Sequence, residues 1–202
     1  MKTLNKGPLI LVEIRTGHFA KMHREDAIAR GLLPADQVHL DPVPMMEPAE
    51  IEAIKGILRD FCPKRVLEWG AGGSTLFWPE LFPEIQWVTI EHDFRYAKEV
   101  QKKASPNVLL LHESYPDYYG PHPHLGKFDL IIVDGRHRVR CLDVARDLLA
   151  EGGVVLLHDA GRPKYHEAKR FYHKLEVLVP PKKSKDPRGL WMFSEPVQVS
   201  RQ

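Results

Sequence analysis

The sequence predicts an α/β fold, a doubly wound and mostly parallel seven-stranded sheet with an antiparallel strand pair at its C-terminal end. Three observations predict it. Five short runs, RVLEW, QWVTI, NVLLLH, FDLIIVD and GVVLLHD, alternate with helical stretches, and near-continuous Val, Ile and Leu runs are what strands covered on both faces require. A turn rich in glycine, GAGGST, follows the first run directly and leads into a helix. Two further runs, LEVLVP and GLWMFS, are joined only by the polar loop PKKSKDPRG, too short for a helical crossover, so they pair antiparallel.

Taken in order, residues 1–47 read as an arm, with a short helix around Arg24 to Gly31 and a connector punctuated by proline. Its apolar run PLILVEI is too short to span a membrane and lacks the flanks of a signal peptide. That run needs somewhere to bury its face, as a lid, a homodimer arm or a partner contact. The main domain occupies 48–202. It opens with PAEIEAIKGILRDF, which puts Ile51, Ile54, Ile57, Leu58 and Phe61 on one helical face behind a proline and glutamates in the first turn. Further helices are expected at Phe94 to Ala104 and Val139 to Ala150, between the strands.

The chain has 202 residues, 43% hydrophobic and 28% charged, enough for one domain with a sizeable core. Its 29 Lys and Arg against 27 Asp and Glu leave a net charge of +2, with no long basic block. Nucleic acid therefore has no strong signal, and a small-molecule substrate fits. Cys62 and Cys141 form no CxxC pair. Neither a disulfide framework nor a zinc knuckle is suggested, and a reducing, cytoplasmic setting without a membrane partner fits.

Ligands of open α/β sheets bind outside the carboxyl ends of the strands. Those ends carry Glu68 with Gly70, Gly72 and Ser74, then Glu91 with His92, then His112, Glu113 and Ser114, then Asp134 with His137, and finally His158 and Asp159. Glycines 70 and 72 let the backbone come close to a ligand, and Ser74 and Thr75 at a helix N-terminus offer donors to a carboxylate. Glu91 has two acceptor oxygens suited to a vicinal diol. Glu113 or its neighbour Ser114 offers an acceptor to an amino group.

At these residues the chain resembles the class I S-adenosylmethionine-dependent methyltransferases over roughly its last three quarters, which implies a Rossmann-like fold. LEWGAGGST is similar to the first motif of that family, with Ser74 where a third glycine often stands. VTIEHD resembles the second, and FDLIIVDG and LLAEGGVVLLHD resemble the motifs of the fourth and fifth strands. The resemblance implies an S-adenosyl-L-methionine cofactor held by Glu68, Gly70, Gly72, Ser74, Thr75, Glu91 and Glu113, and a methyl acceptor, most often a hydroxyl.

Within the family the chain looks most like the metal-dependent O-methyltransferases that act on small molecules and sugars. That match implies Asp134 and Asp159 as ligands of a magnesium ion and His137, three residues after the first, as general base. His158 and Ala160 depart from it, because magnesium prefers oxygen ligands. Plain structural readings also fit these residues: Asp134 capping the next helix, His137 in solvent, His122 and His124 in a flexible active-site loop, and Tyr115, Tyr118 and Tyr119 lining a pocket or covering the sheet edge. Two other classes keep the pattern, a non-catalytic cofactor-binding protein and an NAD-dependent oxidoreductase, whose glycine turn is also followed by an acid roughly 20 residues on.

Overall fold

The computed structural model describes residues 9–15, 18–23, 40–183 and 186–197. The chain divides into two compact units, 1–39 and 40–202. In the smaller one, β1 (Leu9–Arg15) and β2 (His18–His23) pair antiparallel, Leu9 opposite His23. The helix expected around Arg24 to Gly31 lies outside the described residues.

The larger unit contains one seven-stranded sheet. Its strands are β3 (Arg65–Trp69), β4 (Gln86–Glu91), β5 (Val108–His112), β6 (Phe128–Val133), β7 (Leu149–His158), β8 (Tyr172–Val179) and β9 (Leu190–Pro196), in the order β5-β4-β3-β6-β7-β9-β8. The first five run parallel, and β9 pairs antiparallel with both β7 and β8. The order reverses between β3 and β6, which makes their carboxyl ends the switch point where ligands of such sheets bind.

Alternation along the strands sends side chains to two cores. Val66, Leu130, Ile132 and Leu156 meet Ile54 and Leu58 of α1 (Pro48–Phe61) and Trp78 of α2 (Gly73–Leu81) on one face. Leu67, Ile131, Val133, Val155 and Leu157 meet Cys141, Leu142 and Ala145 of α4 (Arg138–Leu148) on the other. A fourth helix, α3 (Phe94–Gln101), starts at Asp93, whose carboxylate accepts the amides of Arg95 and Tyr96. The sequence put Phe61 on the buried face of α1, but it is 42% exposed. It is the last helical residue, next to a left-handed Cys62 that turns the chain away. Among the described residues no helix is long and apolar enough to cross a membrane.

Candidate active site

Glu68 is the acid of β3, and its carboxylate is fully buried. It accepts hydrogen bonds from the Ser74 hydroxyl, from Thr75 Oγ1 at 2.7 Å, and from Trp87 Nε1 and Thr89 Oγ1 at 3.2 Å each. Burial pushes its pKa up to about 7, against the donors from Ser74, Thr75 and Trp87. Thr75 Oγ1 also accepts the Gly72 amide at 3.0 Å. The sequence aimed the two hydroxyls at a bound carboxylate. The structure turns both inward, because a buried acid left without donors is costly.

The glycines of the turn divide in role. Gly70 has a φ of +98°, and a Cβ there would lie 2.6 Å from the Gly135 Cα. What approaches Gly70 is thus the turn after β6. Gly73 is pressed by residues 41–43, where a Cβ would stand 2.6 Å from the Asp41 carbonyl oxygen. At Gly72 the backbone is extended and a Cβ would meet only the Tyr96 ring, 3.3 Å from its hydroxyl. That face is open.

Glu91 ends β4 and reaches across this turn. Its Oε2 accepts the Ala71 amide at 2.9 Å, while Oε1 accepts the amides of His92 and Asp93 at 2.8 Å each. The His92 Nδ1 also lies 2.7 Å from Oε1. Glu113 is half-buried after β5, its amide donating to the Glu91 carbonyl at 2.9 Å.

Across the Gly70–Gly135 contact the chemistry changes. Asp134 Oδ1 receives His158 Nδ1 at 2.7 Å and Arg138 Nη2 at 2.9 Å. The other imidazole nitrogen, Nε2, donates to Glu50 Oε2 at 3.3 Å, and Glu50 Oε1 accepts the Gly189 amide at 2.9 Å. Burial works against a charged His158, but Asp134 and Glu50 outweigh it and push its pKa up to about 10. For Asp134, burial pulls upward and is overcome by His158 and Arg138, which hold the carboxyl below its usual range. Glu50 is lowered in the same way, burial being outweighed by His158 and backbone amides.

His137 adopts a left-handed backbone just before α4 and is exposed, with the Tyr115 and Tyr119 rings each 4.9 Å away. Tyr115 stacks on His92 at 5.0 Å, and Arg140 lies over Tyr119 at 5.1 Å. Tyr118 instead belongs to the core, its carbonyl accepting Trp69 Nε1 at 2.9 Å. The sequence read His122 as part of a flexible loop, but it is 4% exposed with its ring 6.4 Å from that of Trp69, and burial lowers its pKa.

The methyltransferase-domain family matches residues 67–160, from β3 through the end of β7. Over this stretch, just under half of the chain, the likeness is to a methyltransferase domain. Solved structures share its fold. A methyltransferase-like protein from Silicibacter pomeroyi aligns with a TM-score of 0.55 at 19% identity, over 80% of this chain and 93% of that one. A candidate caffeoyl-CoA O-methyltransferase from Staphylococcus aureus aligns at 0.56 and 18%, over 84% and 88%. A 16S rRNA N2 G1207 methyltransferase from T. thermophilus, bound to AdoMet and guanosine, aligns at 0.54 and 18%, over 81% and 45%. Among curated proteins no sequence matches this chain.

The magnesium site implied for a methyltransferase of the metal-dependent branch does not fit these residues. Between Asp134 and Asp159 lies the Arg138 guanidinium, its Nη2 2.9 Å from one carboxylate and 3.7 Å from the other. Asp159 is further held by Arg162 Nε at 3.1 Å and Nη2 at 2.8 Å. A cation placed there would face two guanidinium groups and an imidazolium. Among the described residues no group of three or more His, Cys, Asp or Glu is arranged to hold a metal ion.

Sequence reasoning missed Glu50, Arg138 and Tyr96 as site residues, and it placed His158 beside Asp134 only as a strand-end residue without a role. Glu50 carried one signal. It sits three residues after Glu47 at the start of α1, and its Oε2 accepts the Glu47 amide at 2.8 Å as a capping box does.

Proposed function

We propose that this domain transfers a methyl group from S-adenosylmethionine to a hydroxyl of a small molecule. The observation that carries the reading is the span of Glu91 from β4 to the Ala71 amide, beside the open face of Gly72. Oε2 has room for a further donor and would take the ribose hydroxyls, a hydrogen bond strengthened by its charge. The amides at the start of α2 would take the cofactor carboxylate. Glu113 or Ser114 would take the adenine amino group. Glu68, by contrast, acts on the cofactor only through the turn that it pins.

When bound, the cofactor supplies an electrophilic methyl on a sulfonium, so that the acceptor oxygen gains an O–C bond while the C–S bond breaks and its electron pair stays on sulfur. The protein holds the acceptor in line and receives its proton. The exposed His137 imidazole, without a hydrogen-bond partner among the described residues, takes that proton. Asp134 Oδ2, likewise without a hydrogen-bond partner among the described residues, orients the acceptor. The near balance of acids and bases, 27 against 29, supports a small acceptor over a polyanion. Two unpaired cysteines, Cys62 exposed and Cys141 buried, support a reducing cytoplasm.

The test is a thermal shift followed by calorimetry with S-adenosylhomocysteine and, separately, NAD. The methylation product raises the melting temperature because it binds only the native state. Gly72→Val removes that shift yet still folds, since its Cβ meets no main chain and only the Tyr96 side chain has to give. A shift with NAD alone would sink the reading. Binding without methylation of any hydroxylated compound in an acceptor screen would leave a non-catalytic binder.

A further inference from the structure

Arg138 is 8% exposed and saturated with acceptors. Its Nε donates to the Gly135 carbonyl at 2.9 Å, its Nη1 to the His158 carbonyl, and its Nη2 to the Asp134 carbonyl at 2.8 Å, with the same Nη2 paired to Asp134 Oδ1 at 2.9 Å. Three main-chain anchors from the ends of β6 and β7 therefore fix this guanidinium between Asp134 and Asp159. We propose that Arg138, seconded by His158, is the built-in cation of the acceptor site, standing where related enzymes would bind a divalent ion and positioning Asp134 without one.

The inference rests on the methyl-transfer reading for its chemistry, but the charge arrangement stands by itself. Glu50, Asp134 and Asp159 face Arg138, His158 and Arg162, each acid contacting at least one of these cations. The acids are thus neutralised from within the chain. An added dication would bring unbalanced charge into a buried cluster, which is costly. Both cations bind Asp134 through Oδ1, which leaves Oδ2 for the acceptor. Arg138 is a positioning residue in this scheme, acting through Asp134.

The experiment titrates chelator-stripped protein with Mn2+ and reads the free ion by electron paramagnetic resonance, so that it needs neither cofactor nor turnover. Wild type is expected to show no saturable site. Arg138→Ala, which leaves Asp134 and Asp159 facing a gap, is expected to gain one, and Arg138→Gln serves if the alanine variant does not fold. The gain should vanish when Asp134→Asn is added. Saturable Mn2+ binding by wild type that disappears in Asp134→Asn would overturn the inference, as would Arg138 variants that bind no more ion than wild type. Where turnover is measurable, a rate unchanged by chelator agrees and a rate abolished by it refutes. Failure to bind S-adenosylhomocysteine would defeat the methyl-transfer reading and leave the ion titration interpretable.

Discussion

Glu68 and Asp134 end neighbouring parallel strands, yet one accepts from hydroxyls and an indole while the other sits against a guanidinium and an imidazolium. The same contrast separates Glu91, whose protein partners are mainly main-chain amides, from Asp159, held by two arginines. Neutral donors orient an acid while leaving its charge uncompensated, ready for a neutral diol at Glu91 or, at the buried Glu68, for a proton. Cationic partners cancel the charge, and at Asp134 they hold the carboxyl below its usual range. The carboxyl edge therefore has a half that responds to ligands and protons and a half whose electrostatics are settled in advance.

The most forceful way to break this comparison is on the acceptor half. His137→Ala is expected to lose about a hundred- to ten-thousand-fold in turnover, the usual contribution of a general base, with affinity for S-adenosylhomocysteine near wild type. Asp134→Asn should behave alike. Steady-state rates set beside calorimetry decide the matter, and wild-type turnover in His137→Ala would remove it from the chemistry.

On the cofactor half, Glu68 is expected to tie stability to pH. Its folded pKa of about 7 lies above its ordinary value of 4.5, so the folded chain holds the proton more tightly. That contribution is full below the ordinary value and is lost as pH rises through about 7. Compared with the non-titrating Glu68→Gln, wild type should lose up to about 3 kcal/mol across this window. Urea midpoints of both proteins measured along the pH range test it, and a constant difference would mean that the donors keep Glu68 ionised.

A smaller effect sharpens the contrast. Glu91→Ala should weaken S-adenosylhomocysteine binding by about 1.5–3 kcal/mol, the range for hydrogen bonds to a charged group. Glu91→Asp should restore only part of it, being one methylene short of the Ala71 amide. Unchanged affinity in calorimetry would place the ribose elsewhere.

The cofactor half was the more legible in the sequence, for a physical reason. Strands buried on both faces write themselves as continuous apolar runs, and the acids ending them, Glu68, Glu91 and Asp134, stand directly after those runs. The acceptor half is assembled across the chain. His158 and Glu50 are 108 residues apart, and Arg138 in GRHRVR reads as one more surface base until the fold closes β6 and β7 around it. Even at the glycine turn the sequence told only that a close approach occurs. Gly70 answers it with another glycine and Gly72 with only the Tyr96 side chain, a difference that no spacing encodes.

The contact between Gly70 and Gly135 also constrains how such a chain can vary. A side chain at 70 would strike the backbone of 135, and one at 135 would strike both the Tyr118 hydroxyl and the backbone of 70. No choice of residue at either position makes room for a side chain at the other, because what must yield is main chain at a strand end. The two positions, 65 residues apart, are therefore each held to glycine by the other's main chain, which locks the turn beside Gly72 to the turn that carries Asp134.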